Sequence, residues 1–144
     1  MDVNKNDSYL KHGGEPMATH KHSKKRDAIL ECVRSTETHP SAEWVYAQLK
    51  PQIPDLSLGT VYRNLAMFKE EGLIGSMGVV AGNERFERNT EPHTHFICNH
   101  CSAVIDVEEL DPPLHLGAAI GCGKVENCIL TFTGICSECA GKQA

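Results

Sequence analysis

Apolar positions in the first half of the chain recur at helical spacing three times. Ile29, Cys32 and Val33 mark one helix, entered from the basic stretch THKHSKKRD (19–27). Thr38-His39-Pro40-Ser41 breaks it. Ser41, a favourable N-cap, opens a second helix with Trp44, Val45 and Leu49 on its apolar face, and Pro51 and Pro54 close it. Ser57 opens a third, SLGTVYRNLAMFKEEG, in which Val61, Leu65 and Phe68 stand at i, i+4 and i+7, and Gly72 stops it. LIGSM, a glycine-containing loop from Gly78 to Gly82, and ERFER then predict a short β-hairpin.

Three short helices followed by a hairpin are the layout of a winged helix-turn-helix, whose third helix enters the DNA major groove. Opposite its core stripe that helix carries Thr60, Tyr62, Arg63 and Asn64. Arginine can fork onto guanine, and tyrosine can pack on a thymine methyl or reach a phosphate. The same four residues also suit a merely solvated helix face.

After NTEPHT (89–94), which reads as a hinge, the period changes. HFIC and AVIDVEEL predict two strands joined by a tight turn around Asn99–Ser102. Asp111-Pro112 suits the start of a short helix ending near Gly121, and VENCILTFTGIC predicts a further strand. The expected fold class is α+β, and this second unit has so little core that it needs a staple or a partner.

Composition changes this picture only in places. The net charge of −5 does not advertise nucleic-acid binding, but it is unevenly spread. Residues 18–88 hold ten Lys/Arg against nine Asp/Glu, and residues 89–144 hold two against seven, so only the first unit remains eligible for DNA. No apolar run approaches the roughly 18 residues that span a bilayer, and MDVNKNDSYLKHGGEP lacks the apolar core of a secretory signal. A cytoplasmic protein without membrane contact is expected. Disulfides rarely persist in that compartment, so the seven cysteines point to metal or redox chemistry.

Four of them form Cys98-x-x-Cys101 and, after a 34-residue gap, Cys136-x-x-Cys139. Two such pairs can close a tetrahedral thiolate cage around zinc, which is the staple the second unit needs. His100, between the first pair, is expected to be exposed. Cys32 reads as a buried thiol on a helix, while Cys122 and Cys128 bracket the turn before a strand, where a redox role stays open. His93 and His95 are left over, and strand alternation puts them on one face.

The segments HPSAEWVYAQL, LSLGTVYRNLAMFKEEGLI, RFE, HTHFICNHC, VID and GICSEC, in that order, resemble the ferric uptake regulator superfamily over about residues 20–140. The resemblance implies a homodimeric, metal-dependent transcriptional repressor that binds a double-stranded DNA operator. It implies an N-terminal winged-helix unit, here 18–88, and a C-terminal dimerisation and metal-binding unit, here 95–144, on either side of the hinge at 89–94; residues 1–17, polar with Gly13-Gly14 and Pro16, read by composition as a disordered tail. It also implies structural zinc on Cys98, Cys101, Cys136 and Cys139, and a separate regulatory Fe(II) or Mn(II) on His39, Glu87, His93, His95 and Asp106. Three imidazoles and two carboxylates without a thiolate suit Fe(II), Mn(II) or Zn(II) better than soft metals.

The branch within the superfamily is expected to be the peroxide-responsive one. Pro92, Thr94, Cys128 and Ile135 stand where iron-uptake regulators often supply extra ligands, and Asp106 is similar to the peroxide sensors. In that branch iron-catalysed oxidation of regulatory histidines, here His39 and His93, is the implied signal. Glu87 and Arg63 are more similar to the iron-uptake branch, so iron-responsive repression without peroxide sensing stays open. A metal-dependent hydrolase is the remote alternative, and the sequence offers it neither a further catalytic base nor a phosphate-binding glycine loop. The protein is therefore not expected to be an enzyme.

Overall fold

The computed structural model describes residues 23–108, 119–126 and 128–143. The tail expected over 1–17 and the helix start expected at Asp111-Pro112 lie outside the described residues.

Helix α1 (Lys24–Arg34) begins at Ser23, whose hydroxyl accepts the Arg26 N–H at 3.1 Å. Ile29 and Val33 are fully buried one turn apart. Cys32 is only half-buried, contrary to expectation; it lies about 100° round the helix from Val33, on the flank of the buried stripe. Helix α2 (Ala42–Leu49) is capped by Ser41 and buries Ala42, Val45 and Leu49. Trp44 does not join that face. It lies on the opposite side of the helix from Ala42 and Leu49 and stays 38% exposed.

Helix α3 (Leu58–Glu70) starts at Ser57, whose Oγ accepts the Thr60 N–H at 3.1 Å. Val61, Leu65 and Phe68 are completely buried against α1 and α2. Gly72, at φ +71°, stops the helix in a conformation that glycine adopts without steric cost.

Strands β1 (Gly75–Val80) and β2 (Asn83–Glu87) form an antiparallel hairpin. Its loop is tighter than the expected Gly78–Gly82 span. Only Ala81 and Gly82 make the turn, both at positive φ, which is the twist a two-residue hairpin requires. Gly78 instead sits at a bulge in β1, where the register shifts. Along β2 the side chains alternate, and Phe86 enters the helical core at 3% exposure.

The second half is built on strands β3 (Thr94–Cys98), β4 (Val104–Val107) and β7 (Thr131–Gly134) in the order β4-β3-β7. β3 runs antiparallel to β4 and parallel to β7. Thr94, the last residue of the expected hinge, is already paired with Val107 and fully buried. Ala119–Ile120 (β5) and Gly123–Lys124 (β6) form a minimal hairpin where the end of a helix was expected. The strand expected through VENCILTFTGIC shrinks to the four residues of β7. Helix α4 (Ser137–Lys142) was not expected at all; its N-cap is Cys136, whose sulfur accepts the Cys139 N–H at 3.5 Å.

Candidate metal centre

Five segments bring one cluster together. His39 comes from the turn between α1 and α2, Glu87 from the end of β2, His93 from just before β3, His95 from β3, and Asp106 from β4 directly opposite His95. One donor atom from each lies within 4.8 Å of all the others. Glu87 Oε2 is 3.3, 2.9 and 3.0 Å from the Nε2 atoms of His39, His93 and His95. Asp106 Oδ1 is 2.9, 3.0 and 3.4 Å from the same three atoms. With metal–donor bonds of about 2.1 Å, ligands at right angles stand about 3.0 Å apart. All three imidazole nitrogens thus stand close enough to both carboxylates for one ion to be held by the five residues together.

The local chemistry favours a cation at the centre. His39 is 2% exposed, and both its ring nitrogens are buried without a hydrogen-bond partner despite the nearby carboxylates. An orphaned nitrogen aimed among two carboxylates and two further imidazoles is the geometry of a metal ligand. The His39 backbone adopts φ +54°, which costs a non-glycine residue about 1–2 kcal/mol. His93 Nδ1 stands 2.7 Å from the Glu91 carbonyl; a proton on Nδ1 donated there leaves the Nε2 lone pair free for a metal.

Burial alone would raise the Glu87 pKa, but the imidazoles of His39 and His95 pull it down to about 2. Burial alone would lower His39, yet the Glu87 and Asp106 carboxylates raise it above its ordinary value.

Cys98, Cys101, Cys136 and Cys139 form the second cluster. The Sγ atoms of Cys101 and Cys136 are 3.9 Å apart. That is close to the edge of a thiolate tetrahedron with bonds of about 2.3 Å, and far from a disulfide of about 2.05 Å. The Cys98 sulfur accepts the N–H groups of Cys136 and His100, each at 3.4 Å. Those donors, with Cys101, bring the Cys98 thiol down to about 6. Cys139, beside the Cys136 and Cys101 sulfurs, is pushed up to about 12. The crowding of four sulfurs at one point is the arrangement a divalent cation would neutralise. His100 is exposed and meets the Gln143 amide at 3.2 Å.

On α3, Tyr62 and Arg63 are exposed, and Thr60 and Asn64 are half-buried. The Tyr62 hydroxyl donates to Glu43, Arg63 Nη2 to Thr60 Oγ1 at 3.2 Å, and Asn64 Nδ2 to the Thr60 carbonyl at 2.8 Å. These contacts hold the side chains along the outer face of the helix. Cys122 is exposed at the β5–β6 turn. Cys128 lines a cavity of about 190 Å³ whose wall includes Met77, Glu87, His93 and His95. Neither this cavity nor Arg85, which donates from both Nη atoms to backbone carbonyls, was anticipated from the sequence. The spacing of Arg85 and Glu87, two apart in a strand, was the available signal for the latter.

Residues 17–112 match the ferric uptake regulator family, and the chain belongs to it. It is 35% identical over 120 residues to the peroxide operon regulator of Bacillus subtilis (strain 168), covering 82% of this chain and 83% of that protein. It is 33% identical over 119 residues to the peroxide-responsive repressor PerR of Staphylococcus aureus (strain USA300), covering 81% and 80%. Among solved structures, the Campylobacter jejuni peroxide stress regulator superposes with a TM-score of 0.65 at 27% identity, over 80% of this chain and 88% of that one. The α+β fold is that of the family. All five residues of the His/carboxylate cluster fall inside the matched span, whereas Cys136 and Cys139 lie beyond it.

Proposed function

We propose that the chain is a metal-dependent, DNA-binding transcriptional repressor that responds to peroxide through oxidation of its regulatory-site histidines. The observation that carries the reading is the convergence of five sulfur-free donors from both halves of the chain within 4.8 Å. Nitrogen and oxygen donors of this number suit Fe(II) or Mn(II), and relatives named as peroxide regulators supply the signal class. The thiolate cluster takes structural zinc, its 3.9 Å sulfur separation fitting a tetrahedral cage.

Residues 18–88 act as the winged helix, with Thr60, Tyr62, Arg63 and Asn64 facing the operator. Residues 89–94 form the hinge and 95–144 the dimerisation and metal-binding unit. A row of Ile105, Phe96 and Phe132, aligned across the sheet and partly exposed, supports a homodimer interface. No described helix is long and apolar enough to cross a membrane, and a DNA-binding repressor works in the cytoplasm. The hydrolase alternative is set aside, because the relatives are regulators.

Fe(II) held by His39, Glu87, His93, His95 and Asp106 would supply the electrons that reduce peroxide. The protein's own residues do the rest. Glu87 stays ionised, His93 presents Nε2 from its Glu91 contact, and the cavity beside His93 admits a small oxidant. Loss of one imidazole would leave the set a donor short and so weaken the hold of His39 and His93 on the closed arrangement that binds DNA.

Brief exposure of the iron-loaded protein to low peroxide, followed by peptide mass spectrometry and a gel shift, tests this. One added oxygen on the peptide carrying His39 or His93, with loss of operator binding, is expected. The manganese form should stay unmodified and bound. If neither histidine gains oxygen and the iron form remains on DNA, iron-responsive repression replaces the reading.

A further inference from the structure

We infer that Arg85 is a positioning residue for the five-donor site, tying the backbone of His39 to the turn of the first cysteine pair. The inference rests on the reading of that site as a metal centre. Arg85 Nη1 donates to the His39 carbonyl and Nη2 to the Ser102 carbonyl, each at 3.2 Å. The two acceptors are far apart in sequence and belong to different halves of the chain. His39 is itself a proposed ligand, and Ser102 directly follows Cys101. Both are non-glycine residues in the left-handed region, at φ +54° and +60°. Such backbones persist only where surrounding contacts over-determine them.

The strand explains why Arg85 reaches both carbonyls. In β2 the side chains of Arg85 and Glu87 share one face, while Phe86 between them is locked into the helical core. The Phe86 N–H also donates to the Pro40 carbonyl at 2.9 Å, next to His39. β2 thus grips the His39-Pro40 turn from its backbone and, through Arg85, from its side chain. The planar guanidinium presents two donors in a fixed fork, so the distance between the carbonyls of His39 and Ser102 is set by its geometry. In the closed arrangement the thiolate site and the His/carboxylate site are in this way held in one frame, with the His39 imidazole aimed into the cluster.

Charge and geometry make opposite predictions here. A cation near a cation site repels the metal, so a purely electrostatic Arg85 would weaken binding and its removal would tighten it. A positioning Arg85 strengthens binding, and its removal weakens it. Arg85→Lys keeps the charge and loses the fork.

The test is Mn(II) titration of zinc-containing full-length protein, with Co(II) absorption as a probe of coordination at the same site. Arg85→Ala and Arg85→Lys should each bind Mn(II) roughly 10- to 100-fold more weakly, the usual effect of losing a contact that orients a ligand. Both should keep their zinc, and their Co(II) bands should change in position or intensity. If Arg85→Ala fails to fold, Arg85→Lys decides. An Arg85→Lys protein with unchanged Mn(II) affinity and Co(II) spectrum, or either variant binding more tightly, overturns the inference. Failure of the unmutated protein to bind Mn(II) at all would instead refute the underlying metal-site reading.

Discussion

His39 shows how little a single residue reveals by itself. In sequence it is a turn residue before proline, a position disfavoured for helix by the following ring. In the fold it is 2% exposed and points an unpartnered nitrogen at two carboxylates. Its raised pKa and the lowered pKa of Glu87 translate into a pH dependence. Below its ordinary value of 6.5, His39 contributes its full stabilisation to the metal-free protein, and this is lost as pH rises through the raised folded value. Glu87 contributes above its ordinary 4.5, and this is lost as pH falls toward about 2. The two contributions coincide in full between 4.5 and 6.5. A metal needs the imidazole lone pair, so its binding at about pH 6.5, below the raised His39 value, displaces a proton. Calorimetric Mn(II) titrations in buffers of different ionisation enthalpy should show that release, and affinity should fall as the pH is lowered. Identical heats in all buffers at that pH would contradict it.

At the scale of elements, the helices were legible because each carries its own punctuation. Ser23, Ser41 and Ser57 each accept an N–H three residues on, and Gly72 ends α3 at positive φ. The hairpin loop and α4 were not legible in detail. Gly78 and Gly82 look alike in sequence, yet one makes a bulge and the other a turn, and strand pairing decides between them. Helix α4 is six residues long and capped by a cysteine sulfur, a start that no hydrophobic period announces. The α3 face carries a prediction of its own. Arg63→Ala should weaken specific operator binding by about 1–3 kcal/mol if the guanidinium forks onto a base. Zinc content should not change. Competition gel shifts check it, and equal losses on specific and random DNA would reassign Arg63 to a phosphate.

Across the whole molecule, the five-donor cluster is where the two halves meet, since His39 and Glu87 belong to the helical half and His93, His95 and Asp106 to the sheet half. On the proposed reading, a metal there would favour the arrangement with the halves closed, because an open one would offer it fewer donors. Coupling between metal and DNA of about 1–3 kcal/mol is typical of such devices. His95→Ala should erase that coupling while sparing the zinc, since the two clusters share no ligand. The check is operator affinity with and without Mn(II), alongside metal content. Mn(II) stimulation that survives in His95→Ala would detach the cluster from gating.

The sequence by itself determined the three helices, the order of the strands β3 and β4, and the ligand chemistry. Helical period, N-caps and paired cysteines are local properties, readable over a few residues. It also supplied the family resemblance from which the five-donor set was assembled. Only the tertiary structure decided that those donors face one point, that Trp44 stays outside the core, and that Arg85 spans two distant carbonyls. These depend on contacts between segments up to 67 positions apart, from His39 to Asp106, and such contacts form only when helices and sheet pack against one another.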